Sequence, residues 1–407
     1  MRRILALLGT SLAIVTLVAV FVFGGKTTAQ AASPTGFSHT QFHIKPLTGT
    51  TTYTNGYTPE QIRGAYNLSS TYTGAGKTIA IVDAYNDPTA KNDFDVFSTQ
   101  FGLPTLAGGC ACLTIVNQTG GTKLPKNNGG WATEISLDIE WAHAMAPQAK
   151  ILLVEASSAS NTNLYTAENY ATSHAQVVSN SWGGSESSSE TSTDSYFNKA
   201  VAITVSAGDS GSPAEYPSAS PYVLSIGGTS LTVSGTCGTT NWAATGCSYG
   251  GETAWSSGGG GPSSYESEPA YQNGYCGSVA NVNNCNGKRG TPDVAWVGDP
   301  STGVAVYDST SYQGYVDWFV VGGTSVGAPS VAGVIADADA YHNTTLTTNN
   351  LTSRFAYQSA ATSSNYSSDY HDILSGSNGS PCCSAGTGYD FTTGLGSFNA
   401  ANWIGNV

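Results

Sequence analysis

The chain has 407 residues, of which 40% are hydrophobic and only 10% are charged. That length and apolar content suffice for a large core, whereas the charged fraction lies well below the ~25% of ordinary soluble proteins. The 14 basic and 27 acidic residues give a net charge of −13. This balance argues against nucleic acid as a partner, because no basic patch is present to neutralise phosphates.

The first 31 residues have the pattern of a secretory leader. Arg2 and Arg3 form a basic start, Ile4–Phe23 is apolar, and Ala29 to Ala31 match a small-x-small cleavage site. The apolar run could nearly span a bilayer, so an uncleaved anchor is the alternative to release. We predict a secreted, extracellular protein with no membrane span after leader removal.

Eight cysteines agree with export into an oxidising compartment. Two locally spaced pairs are predicted to close surface loops: Cys237 with Cys247, and Cys276 with Cys285. The remaining four, Cys110, Cys112, Cys382 and Cys383, either pair across the fold or form local bridges. A structural zinc site is the rival interpretation, and it is weak because no histidine lies at ligand spacing from a cysteine pair.

Three regions follow from the composition along the chain. After the leader at 1–31, the polar residues 32–56 are predicted to form an extended arm. At residue 57 the pattern turns globular, and Thr58 with Gln61 suggests a capped helix start. No internal repeat or hinge-like linker interrupts 57–407, so we predict a single domain there.

Apolar, β-branched runs alternate with helical patterns through the first half of this domain. The predicted strands are 77–83, 150–156, 176–181, 200–206 and 222–226, and the predicted helices are 89–101, 134–144, 167–174 and 187–199. Such continuous apolar strands indicate an α/β fold with a mainly parallel sheet covered by helices on both faces. Residues 230–314 are rich in Gly, Ser and Asn and are predicted to form long surface loops.

A serine lies in a turn of small residues, directly before the apolar stretch 326–340. Ser325 occupies this turn, between Gly322 and Pro329. At a helix start its hydroxyl would lie beside backbone N–H groups that can stabilise an oxyanion. A serine nucleophile needs a base, and none of the six histidines lies in a His-Gly-Thr-like turn.

A carboxyl pair offers itself as the base. Glu134 and Asp138 are four residues apart in a predicted helix and therefore share one face. A solvated helix face is the ordinary interpretation of such a pair. Apolar neighbours, among them Ile135, Leu137 and Trp141, favour instead a buried pair that shares a proton. We therefore predict a serine peptidase that is driven by carboxyl groups and works in acid.

Two further aspartates end predicted strands. Asp209 follows the strand at 200–206 in a Gly-rich turn, where it is either a turn aspartate or a protonated carboxyl that donates to an oxyanion. Asp83 ends the first strand and is interpreted as structural support for the site. His143, nine residues after Glu134, faces another side of the helix and is interpreted as structural.

Taken in order, these segments resemble the sedolisin (serine-carboxyl peptidase) family. The matching positions are Thr324, Ser325 and Pro329 for the nucleophile motif, Glu134 and Asp138 for the carboxyl pair, and Gly208, Asp209 and Gly211 for the oxyanion turn. Segments 179–183, 226–229 and 289–293 are also similar to the family, and the resemblance covers about 57–405. It implies a subtilisin-like fold and a single catalytic domain.

The resemblance implies a role for each of the four catalytic candidates. Ser325 attacks the peptide carbonyl, and Glu134 takes its proton and returns it to the leaving amine. Asp138 bonds to Glu134 and shares the proton. Asp209 and the Ser325 N–H stabilise the oxyanion. Since carboxyl pKa values lie near ~4, an ionised base and a protonated donor coexist only in acid.

The resemblance also implies one structural calcium ion near the end of the chain. Its ligands would be the carboxylates of Asp372 and Asp390 and the carbonyl oxygens of Ile373, Gly386 and Gly388. Hard oxygen ligands of this kind suit Ca²⁺. A pair of ordinary turn aspartates is the alternative.

Two features depart from the family pattern. Gly322 stands where the motif usually has Ser, which predicts a looser turn. Family members also carry a long prodomain, whereas only residues 32–56 separate the predicted leader from the domain. Either this arm does a reduced job, or the enzyme folds unaided, or the prodomain is supplied separately.

We expect a monomer that acts on protein or peptide substrates as an endopeptidase. A tripeptidyl exopeptidase of the same mechanism and a catalytically silent surface or binding module are the alternatives. A histidine-dependent subtilisin is disfavoured by the missing histidine motif.

Overall fold

The computed structural model describes residues 36–45, 53, 55–243, 245–275, 285–352, 354–380 and 382–407. The predicted leader lies outside these residues. Residues 32–407 form one compact unit. Within the described ranges, no helix has both the length and the apolar character needed to cross a membrane.

The helices of the described residues lie between and after the strands. They are α1 (Pro59–Ala65), α2 (Ala90–Phe101), α3 (Gly129–Met145), α4 (Asn161–Ala171), α5 (Gly327–His342), α6 (Phe355–Ala360), α7 (Ser363–Asp369) and α8 (Ala400–Asn406). The capping box predicted at the start of α1 is present: Gln61 N donates to Thr58 Oγ1, and Thr58 N donates to Gln61 Oε1.

The strands up to residue 235 are β1 (His39–Thr40), β2 (His43–Lys45), β3 (Thr78–Ala84), β4 (Leu113–Asn117), β5 (Lys150–Ala156), β6 (Val177–Asn180), β7 (Trp182–Ser185), β8 (Ala202–Ser206), β9 (Glu215–Tyr216) and β10 (Leu224–Gly235). Those that follow are β11 (Cys247–Ala254), β12 (Gly261–Ser267), β13 (Lys288–Thr291), β14 (Val294–Val297), β15 (Val304–Tyr312), β16 (Tyr315–Gly322), β17 (Tyr370–His371) and β18 (Ser397–Phe398).

The main sheet has the order β17-β18-β14-β10-β8-β6-β3-β5-β4, with β11 paired to β10. Every pair from β18 to β4 is parallel, whereas β17 and β11 pair antiparallel with their neighbours. The carboxyl ends of the parallel strands therefore lie at one edge, which is where open α/β sheets build their sites.

Successive residues of the central strand β3 face two different cores. Ile79 and Ile81 belong to a cluster that also holds apolar residues of α3 and α5. Ala80 and Val82 belong to a second cluster, which contains apolar residues of α4. The alternation follows from the two-residue period of a strand. It confirms the predicted α/β fold with helices on both faces of a mainly parallel sheet.

The helix predicted at 187–199 is wrong. Two short 3₁₀ turns, Glu190–Ser192 and Asp194–Tyr196, occupy this region. Glu190 Oε2 accepts from Ser187 N at 2.6 Å, and Thr193 Oγ1 donates to Glu190 O at 2.8 Å. In this Ser- and Thr-rich run, side chains take the backbone partners that a longer helix would need.

The prediction of long surface loops at 230–314 is also wrong. In the described residues this region contains the end of β10 and the five strands β11 to β15. In β11 only the two end residues, Cys247 and Ala254, are buried, and the residues between them are exposed or half-buried. A strand with one face in water needs few apolar residues, so its sequence resembles a loop until its partner strand is known.

The cysteines form local bridges. Cys110 bonds to Cys112, and Cys382 to Cys383, which decides between the two pairings left open by the sequence. The predicted bridge between Cys237 and Cys247 is present. Cys276, half of the second predicted pair, lies outside the described residues.

Gly322 ends β16 in a crowded position. A Cβ built there would lie 2.5 Å from Gly298 O and 2.5 Å from Pro300 Cα, closer than side chains approach backbone. The expectation of a looser turn is therefore wrong: glycine here lets the loop after β14 pack directly against β16.

We expect Gly322→Ala to destabilise the protein by about 1–3 kcal/mol, because overpacking forces the backbone to shift. Gly405→Ala is the matched control, since a Cβ there meets nothing within 4 Å and alanine favours helix by up to about 1 kcal/mol. Denaturant midpoints of both variants measure the difference. Equal midpoints would contradict the packing interpretation.

Candidate active site

Ser325 lies at the start of α5, in a 3₁₀ turn formed by Thr324–Val326. The residue is fully buried. Its backbone N donates to the carbonyl oxygen of Gln41 at 3.1 Å. Its Oγ has no hydrogen-bond partner in the described part of the chain. Ser325 therefore combines a free hydroxyl with an N–H that already holds a peptide carbonyl.

Gly323 gives the turn its shape. Its φ is +111°, a conformation that side chains oppose. A Cβ there would lie 2.6 Å from Phe42 Cα and 2.7 Å from Asp209 Oδ2. A larger residue would push both the bound segment and the aspartate away from Ser325.

The carboxyl pair lies on α3, which confirms the predicted helix and extends it at both ends. Asn128 caps this helix by accepting from Gly130 N and Trp131 N. Residues 131–145 are all buried, so Glu134 and Asp138 cannot face water. A helix that is buried on every side belongs to the core, and the two carboxyl groups on it are therefore in the interior.

Glu134 and Asp138 each have one bonded and one free oxygen. Glu134 Oε2 accepts from Gln41 N at 3.1 Å, and Asp138 Oδ1 accepts from Ser181 Oγ at 2.8 Å. Glu134 Oε1 and Asp138 Oδ2 have no partner among the described residues. The hydrogen bond expected between the two carboxyl groups is absent from the described structure, and they interact through charge instead.

Burial raises the pKa of Glu134 well above its usual range, and the charge of Asp83 raises it further. The hydroxyl of Ser325 lies close enough to lower the pKa of Glu134, although the two groups form no aligned hydrogen bond. Burial also raises the pKa of Asp138, followed by the charges of Asp83 and Glu134.

Asp83 is the third carboxyl of this group. It stands near the end of β3, is fully buried, and has no partner for either oxygen in the described residues. Burial raises its pKa to about 8. The three carboxyl groups therefore share their protons as a coupled set.

Asp209 lies across the nucleophile from this set, in the turn after β8. Its Oδ1 accepts from Thr324 N at 2.8 Å and from Thr324 Oγ1 at 2.9 Å. Its Oδ2 lies 3.4 Å from His43 Nε2. Burial raises the pKa of Asp209 to about 7, although its bonds to Thr324 act in the opposite direction. In acid Asp209 is neutral and has a proton to donate.

The structure thus brings the four predicted catalytic residues together around one hydroxyl. His143 is excluded from this group: its Nε2 lies 2.9 Å from Pro104 O, and burial lowers its pKa to about 4. The sequence did not single out Ser181, although it lies in the segment 179–183 that resembles the family.

Residues 37–45 run through the site, although no motif in this segment predicted that position. His39 and Thr40 pair with Gly183 and Trp182 of β7. On the other side of Ser325, β2 pairs antiparallel with β16. Buried Gln41 lies between these two ladders and reaches Glu215 with its side chain, Nε2 to Oε2 at 2.6 Å. Contacts between residues this distant leave no local pattern that could have revealed them.

Glu215 adds a fifth carboxyl group to the site, with its side chain 14% exposed. Burial raises its pKa to about 8, and the charge of Asp209 acts in the same direction. In the described part of the chain, no lysine or arginine forms a salt bridge with Glu215 or with the other four carboxyl groups.

The predicted calcium ligands lie close together in the C-terminal segment. Gly388 N donates to both oxygens of Asp372 at 3.1–3.2 Å, and Gly386 N donates to Asp390 Oδ2 at 3.1 Å. The carbonyl oxygens of Ile373, Gly386 and Gly388 accept no backbone hydrogen bond from the described residues. Two carboxylates beside carbonyl oxygens without backbone donors match the donor set that Ca²⁺ prefers.

A separate acidic cluster lies against the N-terminal half of α3, where Thr133 and Ser136 donate to it. Asp87, Asp93 and Asp308 each offer a carboxylate oxygen within 4.8 Å of the others. Hydroxyl groups bond to them: Ser309 Oγ donates to Asp93 at 2.7 Å, and Thr133 Oγ1 to Asp308 at 2.7 Å. These bonds already satisfy the carboxylates without a cation.

Comparison with known proteins places this site in a family. Residues 117–383 match the model of the Subtilase family, Peptidase_S8. Kumamolisin from Bacillus sp. (strain MN-32) is 30% identical over 381 residues, which cover 84% of this chain and 62% of kumamolisin. Sedolisin from Pseudomonas sp. (strain 101) is 28% identical, with 85% and 60% of the two chains covered.

The fold agrees with this. The structure titled Pseudomonas sedolisin (serine-carboxyl proteinase) complexed with two molecules of pseudo-iodotyrostatin superposes with a TM-score of 0.70 and 25% identity, covering 87% of this chain and 98% of that one. The chain belongs to the subtilase family of serine peptidases and, within it, to the sedolisins. It spans 62% and 60% of the lengths of curated kumamolisin and sedolisin.

The buried carboxyl groups predict a stability that falls as pH rises. Asp83, Asp209 and Glu215 have pKa values of about 8, 7 and 8 in the folded chain, against about 4 when unfolded. The folded state therefore binds more protons between these limits. The stabilisation is fully present below about pH 4 and is lost as pH rises through about 8.

We expect the melting temperature of Ser325→Ala, which prevents self-digestion, to be higher at about pH 4 than at about pH 8. Adding Glu168→Gln should make the fall smaller, because burial raises the pKa of Glu168 to about 8 as well. A melting temperature that rises over this pH range would contradict the shifted pKa values.

Proposed function

We propose that the chain is a serine-carboxyl endopeptidase that cleaves peptide bonds in acid through an acyl-enzyme on Ser325. One observation carries this proposal: a peptide carbonyl rests on the Ser325 N–H, and the Ser325 hydroxyl lies beside the buried carboxyl of Glu134, with no histidine of the described residues bonded to it. A histidine-dependent subtilisin would need an imidazole bonded to that hydroxyl.

The reaction begins with attack of Ser325 Oγ on the carbonyl carbon. Glu134 takes the hydroxyl proton, and the coupled group of Asp83, Glu134 and Asp138 spreads the charge. The oxyanion is stabilised by the Ser325 N–H and by the proton of Asp209. Glu134 then returns its proton to the leaving amine, and water hydrolyses the ester by the same steps.

The direction of the pH dependence follows from Asp209. Below about 7, the value to which burial raises its pKa, Asp209 is neutral and donates a hydrogen bond. Above that value it becomes an anion beside an oxyanion, and stabilisation turns into repulsion. The acid limit is set by the first proton to leave the group around Glu134, because without that loss there is no base.

Endopeptidase action is supported by the path of residues 37–45. Counting back from the carbonyl on Ser325, the segment continues beyond three residues, and Ser38 N donates to Ala159 O at 2.9 Å. Next to Phe37 lies a cavity of about 510 Å³. A tripeptidyl exopeptidase needs a cleft that is closed after the third residue, and here chain and cavity occupy that position.

We also propose one structural calcium ion, held by the carboxylates of Asp372 and Asp390 and the carbonyls of Ile373, Gly386 and Gly388. The ion would join two loop segments of the C-terminal region and takes no part in the reaction. The local disulfides are consistent with an exported protein, so we propose secretion as the destination.

The first prediction concerns the catalytic groups. Ser325→Ala should abolish hydrolysis of denatured casein, and Glu134→Gln should lower kcat by at least about 100-fold, because it removes the general base. Glu140→Gln is the matched control: Glu140 is equally buried on the same helix, but its Oε2 accepts from Tyr307 N, away from Ser325. Its activity should stay near wild type.

A rate that rises towards alkaline pH, or one that survives Glu134→Gln, would contradict this mechanism. Equal behaviour of wild type and Ser325→Ala in a folded, calcium-loaded protein would support the silent binding module instead.

The second prediction isolates the alkaline limit. Asp209→Asn keeps a neutral donor beside the oxyanion but cannot ionise. We expect a lower maximal rate, by about 10- to 100-fold, since an amide donates more weakly than a carboxyl proton. We also expect that the fall in rate above about pH 7 disappears. A pH profile of kcat/KM tests this, and an unchanged alkaline limit would assign that limit to another group.

The third prediction concerns the ion. Calcium at about 100 times its Kd should stabilise the folded protein by about 2.7 kcal/mol. Asp372→Asn should remove this gain, and magnesium should not replace calcium, because the site offers too many protein oxygens for it. Asp95→Asn is the control, since Asp95 also accepts two backbone N–H bonds, from Leu106 and Ala107. A calcium effect that persists in Asp372→Asn would move the site elsewhere.

A further inference from the structure

Residues 37–45 occupy the cleft in the way a substrate would. On one side of Ser325 the segment extends β7, with His39 opposite Gly183. On the other side it extends β16, with His43 opposite Gly322. An added strand of this kind is a recognised mode of peptide binding, in which main-chain bonds hold the peptide and pockets read alternate side chains. The pairing fixes which bond lies at the nucleophile.

That bond joins Gln41 to Phe42. The Gln41 carbonyl accepts from Ser325 N at 3.1 Å, and the Gln41 N donates to Glu134 Oε2 at 3.1 Å. The carbonyl that the oxyanion groups hold is the one that a serine nucleophile attacks. The leaving group would be the amine of Phe42.

The side chain of Gln41 fills a closed polar pocket. Gln41 is 1% exposed, and its Nε2 donates to Glu215 Oε2 at 2.6 Å. Two glycines make room for this contact. A Cβ on Gly183 would collide with Gln41 Nε2 and lie 2.9 Å from Glu215 Oε2, and one on Gly208 would lie 3.1 Å from Glu215 Cδ.

The pocket is selective because its acceptor is largely shielded: the Glu215 side chain is 14% exposed, and His39 Nε2 lies 3.9 Å from its Oε2, too far for a hydrogen bond. An apolar side chain at position 41 would take away the amide that bonds to Glu215 Oε2, and a shielded acceptor without a donor costs free energy. A site built around a hydrogen bond rejects the analogue that lacks it more strongly than an apolar pocket rejects a change of size.

We propose that Glu215 makes this site cleave peptide bonds that follow a side chain able to donate a hydrogen bond to it, glutamine above all. The Gln41–Phe42 bond is the example that lies in the cleft. This inference rests on the proposed peptidase function and names the residue that reads its substrates.

Cleavage of the Gln41–Phe42 bond needs only Ser325, Glu134 and water. Ser325 Oγ forms a bond to the Gln41 carbonyl carbon and gives its proton to Glu134. The bond between Gln41 C and Phe42 N breaks as Glu134 protonates the amine. Water then releases a carboxylate at Gln41 and restores the Ser325 hydroxyl.

The first test follows the chain itself by intact mass and N-terminal sequencing after a shift from neutral to acid pH. Wild type should acquire an N-terminus at Phe42, and Ser325→Ala should keep the bond. Gln41→Leu should slow the cut by about 10- to 100-fold, as expected when a buried acceptor loses its donor.

The second test exchanges the partner. Glu215→Leu should remove the preference for glutamine at position 41. The double variant Glu215→Leu, Gln41→Leu should be cut faster than Gln41→Leu alone. Glu215→Leu with native Gln41 should be cut more slowly than wild type. Glu215→Gln, which keeps an acceptor oxygen, should retain the preference for Gln41. A merely structural loss would slow all substrates together and would not produce this crossover.

Digestion of denatured casein in parallel distinguishes failure of the proposed glutamine preference from failure of the proposed peptidase function. Casein cleavage with an intact Gln41–Phe42 bond, or equal rates for glutamine and leucine at position 41, would overturn the inference and leave the peptidase function standing. Failure to cleave casein as well would overturn the peptidase function.

Discussion

The structure depends on carboxyl groups that are gathered around Ser325 without a lysine or arginine among the described residues to neutralise them. Asp83, Glu134 and Asp138 are fully buried, and the side chains of Asp209 and Glu215 are 9% and 14% exposed. Several isolated charges cannot coexist in such surroundings. Most of these carboxyl groups must therefore be protonated. The number that are ionised at a given pH sets both the stability of the fold and the protonation state of the active site.

This constraint explains why the fold separates the carboxyl groups as it does. Glu134 and Asp138 share a helix with almost no polar face, so they compete for one proton beside the nucleophile. Asp209 stands on a different element, where bonds from Thr324 lower its pKa, while its charge raises the pKa of Glu134. One side of Ser325 can then lose a proton while the other side keeps one. Two environments for one type of group supply both the acid and the base.

Part of this could be read from the sequence. The strands of the main sheet have apolar runs, and Ser325, Glu134, Asp138 and Asp209 each lie in a short local motif, so the fold and four candidates were predictable. Gln41 and Glu215 are 174 residues apart, and neither has a motif of its own. Among the strands after residue 230, β11 was missed because most of its length is exposed or half-buried, whereas β13 and β14 are buried but only four residues long. The calcium ligands and the leader remain predictions.

The double pairing of residues 37–45 has a consequence for what can enter the cleft. When that segment leaves, β7 and β16 become sheet edges with unpaired N–H and C=O groups on both sides of Ser325. Only a chain that is extended over several residues, with its own backbone groups free, can satisfy both edges at once. A helix or a folded domain has already used those groups internally. The cleft therefore selects extended chains before it selects a sequence. Acid loosens the structure of many proteins and so also produces the extended chains that the cleft can bind.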